Sequence, residues 1–538
     1  MPVLTRVAVL LVLVLFSALG GEAWAGKTNR APNYEAVSNA VAEILKGKDR
    51  LPLPLERIRP ALEAHYVRDK GTIYCVATGR MTPFIQRLID AADDGLNPGD
   101  YPVEALISLR DSISPEDPWQ AAQAELIYSA FFVAYAADLK IGRVTPSKVD
   151  PRLFRNRKTI DVLRVLTELK KQRNPGTFLS SFESQNPHYQ ALKKMLVLYR
   201  AMAKSGKWPV IPPGPNIKPG GSDPRIPAIR DLLTFTGDHP GGGRGEAYDK
   251  QLAESVMRFQ ARHGLEAKGL IGKQTVLALN VPPEDRARQI MLNMERWRWM
   301  PEKLGEHHLT VNLAAFELQE VQNQTAVDRM NVVVGAVATQ TPEFSDELEY
   351  VDINPTWTVP YSIATKEMLP KLKANPMAYA ADFEVFMSGK LTSWGAINWS
   401  AYGPGKFPFT FRQKPGPKNA LGRVKFMLPN PHNIYLHDTP AKDKFLQTTR
   451  AFSHGCIRLS RPMDFAYHIV GGIVGWSKQK IDNAFASGKT TRVPLPRKIP
   501  VHLIYSTAFE GVNGIEFRPD IYGRDRKLEK ALLGKPSS

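Results

Sequence analysis

"RAFSHGCIRLSRP" spans Arg450–Pro462, and "NIYLHDTP" spans Asn433–Pro440. The first holds Cys456, one of two cysteines in 538 residues, and the second holds His437, nineteen positions earlier. A thiol becomes a nucleophile when a base or a positive field favours the thiolate. Two histidines could serve Cys456. His454 is two residues away and shares its side if the stretch is a strand, where alternate residues face one way. His437 qualifies if its strand neighbours that of Cys456. The amides around Gly455 and Cys456 could hold an oxyanion, and Arg458 offers a fixed positive charge to a substrate carboxylate. The same residues allow a zinc reading, with His437, His454 and Cys456 joined by Asp438 or His432. An inert or disulfide-bonded thiol is the third reading, because Cys75 is available. Spacing alone leaves all three open.

The strands around this stretch set the fold. "HHLTVNLAAFELQEV", "RMNVVVGAVA", "LEYVDINPTWTVP" and "GRVKFMLPN" alternate or run β-branched, as strands do. "SRPMDFAYHIVGG", with Ser460 as N-cap, and "SKQKIDNAFASG", from Ser477 to Gly488, read as helices. Between Ile363 and Pro417 lies a long Pro-, Gly- and aromatic-rich insertion, of the kind that acts as a lid. Its Trp394 and Trp399 are expected to pack within it.

Upstream the pattern is helical. "MTPFIQRLIDAADDGLNPGDY" has Thr82 as N-cap, Pro83 at N1, apolar Phe84, Ile85, Leu88 and Ile89, and Gly95 as the stop. "AAQAELIYSAFFVAYAADL" (Ala121–Leu139) reads as a buried core helix, since Gln123 and Glu125 interrupt it. "WPVIPPGPNIKPGGSDPRIP" (Trp208–Pro227) reads as a linker. Beyond it Leu252, Val256 and Phe259 share one helical face, and His263-Gly264 ends that helix.

The N-terminus has Arg6, an apolar run from Val7 to about Leu19, and Ala23-Trp24-Ala25, an A-x-A cleavage pattern. It reads as a secretory signal cut after Ala25. The formal charge of +18 survives that cut, because Arg6 and Glu22 cancel. An exported basic protein rarely meets nucleic acid, so an anionic extracytoplasmic polymer is the expected partner.

Two resemblances follow from these residues. "AESVMRFQARHGLEAKGLIGKQTVLALNVP" resembles the small helical peptidoglycan-binding domain attached to many wall enzymes. "IYLHDTP…SHGCIRLS", with "NPTWTVPYSI", "RQKPGPKNALGRVKFMLPN" and "PVHLIYSTAF…IEFRPDIYGRD", resembles the YkuD-type catalytic domain of large periplasmic L,D-transpeptidases. The fold class implied is multidomain α+β. The expected order is a signal peptide (1–25), a flexible segment (26–39), a helical scaffold domain (40–207) and a linker (208–222). A peptidoglycan-binding-like domain (223–300), a mostly-β catalytic domain (301–510, insertion about 364–417) and a C-terminal extension (511–538) complete it.

The resemblance also implies roles. Cys456 would be the nucleophile and His437, rather than His454, the general base, oriented by the backbone carbonyl of Asp438. His454 would shape the site, while Ser453 and Gly455 hold the loop. Tyr435 and the amides of Gly455 and Cys456 would form the oxyanion hole, and Arg458 would contact the donor stem. Asp438 stands where many relatives have Gly or Ser. The implied activity is formation of 3→3 peptidoglycan cross-links in the periplasm, with carbapenems acylating Cys456. No metal or other cofactor, no nucleic acid and no membrane span in the mature chain are expected. Nothing in the sequence sets the oligomeric state, and a monomer is the expectation. The alternatives are an L,D-carboxypeptidase on the same stems and a non-catalytic wall-binding protein.

Overall fold

The computed structural model describes residues 33–47, 51, 53–70, 72–77, 79–114, 116–512 and 514–534. The expected signal peptide and residues 26–32 lie outside the described residues. Two compact units emerge. Of the described residues, one gathers those up to Pro151, Arg155–Glu302 and those from Thr507 on; the other holds Arg152–Phe154 and Lys303–Ser506.

The first unit is helical. Helix Tyr34–Lys46 begins inside the segment expected to be flexible. The Asn33 side chain caps it by accepting from the Ala36 amide, and Val37, Ala40, Val41 and Leu45 anchor it. The stretch 121–139 lies in helix Pro118–Ile141, capped by Asp117 and buried on nearly every side. All-round burial is why its sequence carries no one-sided periodicity. Glu125 in this helix is fully buried and accepts from the Tyr66 hydroxyl (2.7 Å) and the amides of Tyr74 and Val76 (3.0 Å each). Burial raises its carboxyl, and those donors pull it back. No helix among the described residues is long and apolar enough to cross a membrane.

Helix Met81–Ile89 starts before the expected cap. Arg80 takes the cap position and Thr82 lies inside the helix; Phe84, Ile85 and Leu88 are buried, but Ile89 is exposed. Gly95 ends the following turn at φ 68°, as its sequence position requires. The segment 208–222 departs further from expectation. Ile211 and Ile217 are buried in one core with Ile226, Leu252, Val256 and Phe259. Ile217 also pairs its backbone with Ile271, both bonds at 3.0 Å. Its Pro/Gly content makes it extended, and its two isoleucines anchor it, so it is part of the small helical domain. Helices Ile226–Phe235, Lys250–Arg262, Lys273–Leu279 and Pro283–Trp299 complete that part.

The second unit is built on β1 (His307–Asn312), β2 (Glu317–Gln322), β3 (Thr325–Gly335), β4 (Phe344–Ile353), β9 (Val424–Met427), β10 (Leu436–His437), β11 (Ala451–Ser453), β12 (Ile457–Leu459) and β13 (Thr491–Ile504). Between β4 and β9 come β5 (Trp357–Thr358), β6 (Phe383–Met387), β7 (Lys390–Thr392) and β8 (Phe409–Gln413). The main sheet runs β11-β3-β12-β10-β9-β4-β13-β1-β2, and β2 also pairs with β3. That last pairing closes the sheet into a barrel and leaves β11 as a flap beside β3. Closure removes free edges.

The insertion has its own four-stranded sheet, β5-β8-β6-β7, and its own core. Because β5 belongs to that sheet, it begins before residue 364. Trp394 and Trp399 are buried there against Phe409 and Phe411. Of the two helices expected after β12, Lys478–Ala486 forms with Ser477 as its cap. Pro462–Tyr467 follows Arg461, while the Ser460 amide bonds Asn331 and prolongs the strand instead.

Candidate active site

Alternation along short strands decides which side chains meet. In β9, Val424 and Phe426 are buried in the barrel core while Lys425 turns to the other face. Register carries this across: Phe426 faces Leu436 and Leu436 faces Ile457, and on the opposite face Lys425 meets His437 and His437 meets Arg458. Tyr435 lies two residues before His437, and Cys456 two before Arg458. Two parallel strands thus set Tyr435 beside Cys456 and His437 beside Arg458.

Cys456 does not share a strand with His454. Residues 454–456 form a bend between β11 and β12, and the strand resumes at Ile457. Gly455 makes this bend at φ 119°, where a side chain is strained, and a Cβ there would stand 3.2 Å from Ile434 Cδ1. Ser453 Oγ accepts from the Gly455 amide (3.1 Å) and donates to the Cys456 carbonyl (2.6 Å). Thr339 and Thr341 donate to the carbonyls of Ser453 (2.8 Å) and Gly455 (2.7 Å). The Gly455 amide is therefore engaged within the loop, whereas the Cys456 amide makes no hydrogen bond among the described residues.

The sulfur is cradled by its neighbours. The thiol points at the Asn433 carbonyl, 3.4 Å away, from a residue at φ 55°. Tyr435 offers its backbone N–H and hydroxyl to the sulfur, and both favour the thiolate. Trp357 in turn donates to the Tyr435 hydroxyl. Burial pushes the Cys456 thiol up, opposed by these donors and by the charges of Lys425 and Arg458.

His437 is buried, and its Nδ1–H donates to the Asp438 carbonyl. That bond fixes the tautomer and leaves Nε2 with its lone pair. Burial, reinforced by Arg458, lowers the imidazole to about 3, so it is neutral at working pH. The resting pair is thus an uncharged thiol and an uncharged base. The Asp438 carboxylate takes no part in orienting His437; it accepts from the amides of Arg423 and Thr439 and pairs with Lys442.

The other histidines go elsewhere. His454 is half exposed and bonds Glu367 of the insertion at 2.8 Å. His432 stacks on Phe154 with centroids 3.9 Å apart. The residues of the zinc reading therefore do not gather into a metal-holding group among the described residues. Cys75 is buried in the other unit, 3.6 Å from Ser129 Oγ, and both cysteines are free. Sequence reasoning missed Lys425, Trp357, Asn433 and the two threonines. The Lys425 signal, one cation between buried Val424 and Phe426, reads from sequence as a solvated strand face.

A thiol and an oriented imidazole thus sit on neighbouring segments of one barrel face, His437 against Arg458 and Cys456 two residues before Arg458. Residues 306–472 match the family model of the YkuD L,D-transpeptidase catalytic domain, and residues 61–196 match that of a scaffold domain. The stretch 306–472 is therefore an L,D-transpeptidase catalytic domain of the YkuD family. A protein of Haemophilus influenzae (strain ATCC 51907 / DSM 11121 / KW20 / Rd), named "Putative L,D-transpeptidase", is 32% identical over 249 residues, 46% of this chain. The match spans 50% of that relative's length. The chain is also similar to the crystal structure of an L,D-transpeptidase (residues 123–326) from Xylanimonas cellulosilytica DSM 15894, at 14% identity and TM-score 0.18 over 55% of this chain and 100% of that one. An L,D-transpeptidase from Mycobacterium smegmatis is similar at 13% identity and TM-score 0.17, over 37% of this chain and 58% of that one.

Proposed function

We propose that the chain cross-links peptidoglycan by 3→3 transpeptidation through a Cys456 thioester. The observation that carries this reading is the buried, neutral His437, its Nδ1–H held by the Asp438 carbonyl, on the strand paired with β12, which starts one residue after Cys456. His437 Nε2 takes the thiol proton as sulfur attacks the carbonyl of the third stem residue. The C–S bond forms, the amide C–N bond breaks, and the proton passes from His437 to the departing amine of D-alanine. The side-chain amine of a neighbouring stem then attacks the thioester and restores the thiol. Tyr435 and the Cys456 amide stabilise the anionic forms in this reading, and no step calls for a metal or cofactor. The basic surface and residues 208–300 hold the enzyme to the wall, in the periplasm, and carbapenems acylate the same sulfur.

Intact-protein mass spectrometry of the parent and Cys456→Ala, after a carbapenem and separately after disaccharide-tetrapeptide, tests this. An adduct in the parent alone, with a dimer lacking one D-alanine, is the expected result. An adduct with only tripeptide product makes the enzyme an L,D-carboxypeptidase. No adduct on a folded, reduced parent refutes Cys456 as the acyl carrier and favours a wall-binding protein.

A further inference from the structure

Resting on the reading just given, we propose that Lys425 and Arg458 form a carboxylate-binding pair that receives the free carboxylate of the donor's leaving residue, with Lys425 as its specificity-determining member. The two cations flank His437 on one face of the barrel, Lys425 from β9 and Arg458 from β12. Both are half-buried, and neither makes a hydrogen bond or ion pair among the described residues. The Arg458 Nε is buried without a hydrogen-bond partner.

The carboxylate that faces Lys425 in the register is already committed. Asp352 faces Lys425 from β4, but Arg492 from β13 takes both its oxygens, with Nε at 2.8 Å and an Nη at 3.1 Å. Arg492 also lies over the Tyr350 ring, 3.9 Å from its centroid. The row Arg458, His437, Lys425, Asp352, Arg492 therefore sets one carboxylate against three cations. The Lys425 Nζ stands 4.1 Å over the Tyr435 ring, whose hydroxyl reaches Cys456. Two half-buried cations that make no ion pair among the described residues are costly to keep, and a site built this way gains most from an anionic ligand.

Chemistry says where that anion arrives. His437 hands its proton to the leaving amine, so the leaving residue lies against His437 when the C–N bond breaks. In an amino acid the carboxylate is one carbon beyond that amine. The cations on either side of His437 are the groups within its reach. A carboxylate seated there also cancels the positive field that disfavours protonated His437, so the correct donor raises the basicity of its own catalyst.

The test compares two synthetic tetrapeptide donors, one ending in D-alanine and the other in D-alaninamide, on the full chain, on Lys425→Met and on Lys425→Arg. The readout is the ratio of kcat/KM for acylation. The parent should prefer the carboxylate by about tenfold or more, as expected of a charge-assisted contact. Lys425→Met should bring the ratio to within about threefold of one, chiefly by raising KM for the acid, and Lys425→Arg should restore the preference. A purely structural or thiolate-stabilising role lowers both donors alike and leaves the ratio unchanged. A parent with equal rates, or Lys425→Met with the parental ratio, overturns the proposal. A parent whose Cys456 is alkylated by iodoacetamide but acylated by neither donor refutes the acyl-transfer reading itself, a different result from an altered ratio.

Discussion

His437 and Cys456 divide the labour of the site through their surroundings. With His437 lowered to about 3, chiefly by burial, the unfolded chain binds a proton between pH 6.5 and 3 that the folded chain refuses. Stability is therefore intact above pH 6.5 and falls as pH drops toward 3, by about 1.4 kcal/mol per unit inside that window. Thermal midpoints between pH 7 and 4 should fall more steeply for the parent than for His437→Gln. The two thiols should also separate by access. Iodoacetamide at pH 8 should label Cys456 and spare Cys75, which is fully buried beside Glu125 and Ser129 with its thiol raised; peptide mass mapping checks this. Gly455→Ala places a side chain at φ 119° and should cost about 1–3 kcal/mol. Acylation should fall further than stability, because the bend aims the nucleophile; kcat/KM set against the denaturation midpoint separates the two.

At the scale of elements, the insertion behaves as a small folded body. Trp399 fills its core, so Trp399→Ala should cost about 3–5 kcal/mol locally. Hydrogen exchange should quicken in β6 and β8 while β9, β12 and β13 keep their protection. The contact from Glu367 to His454 is half exposed on both sides and is worth about 1 kcal/mol or less. Much at this scale was legible in the sequence. Main-sheet strands stood out because alternate residues meet a core, as Val424 and Phe426 do around Lys425. The helical run after Ser477 was legible, whereas its Ser477 cap emerged only in the structure. Cap positions failed where the competition was tertiary: the Ser460 amide extends β12, and Arg80 displaces Thr82. Segment 208–222 was misjudged because its composition speaks of backbone shape and says nothing of where Ile211 and Ile217 bury. At the site, the spacing of His437 and Cys456 left three readings open, and only the resemblance singled out these two residues. Lys425 and Trp357 were not legible, since their roles come from strand neighbours far away in sequence.

The whole molecule is not threaded as beads. Its catalytic unit takes Arg152–Phe154 from the N-terminal half: the Phe154 amide donates to the Glu343 carbonyl at 2.8 Å, and the Glu343 amide to the Arg152 carbonyl at 2.9 Å. A chain of residues 303–506 alone should therefore lose hydrogen-exchange protection at Glu343 and free the ring of His432 from Phe154. Adding 152–154 back on a tether should restore both. The unit's own ends carry a further consequence. Its main stretch, Lys303–Ser506, enters at β1 and leaves at β13, and these two strands lie parallel, paired from Leu309 with Val501 to Asn312 with Ile504. Tension drawing the two ends apart slides one strand along the other, so its hydrogen bonds bear the load together instead of peeling in turn. In an enzyme whose proposed substrate is a stretched, pressure-bearing mesh, the point where the chain enters and leaves its catalytic barrel is a mechanical clamp.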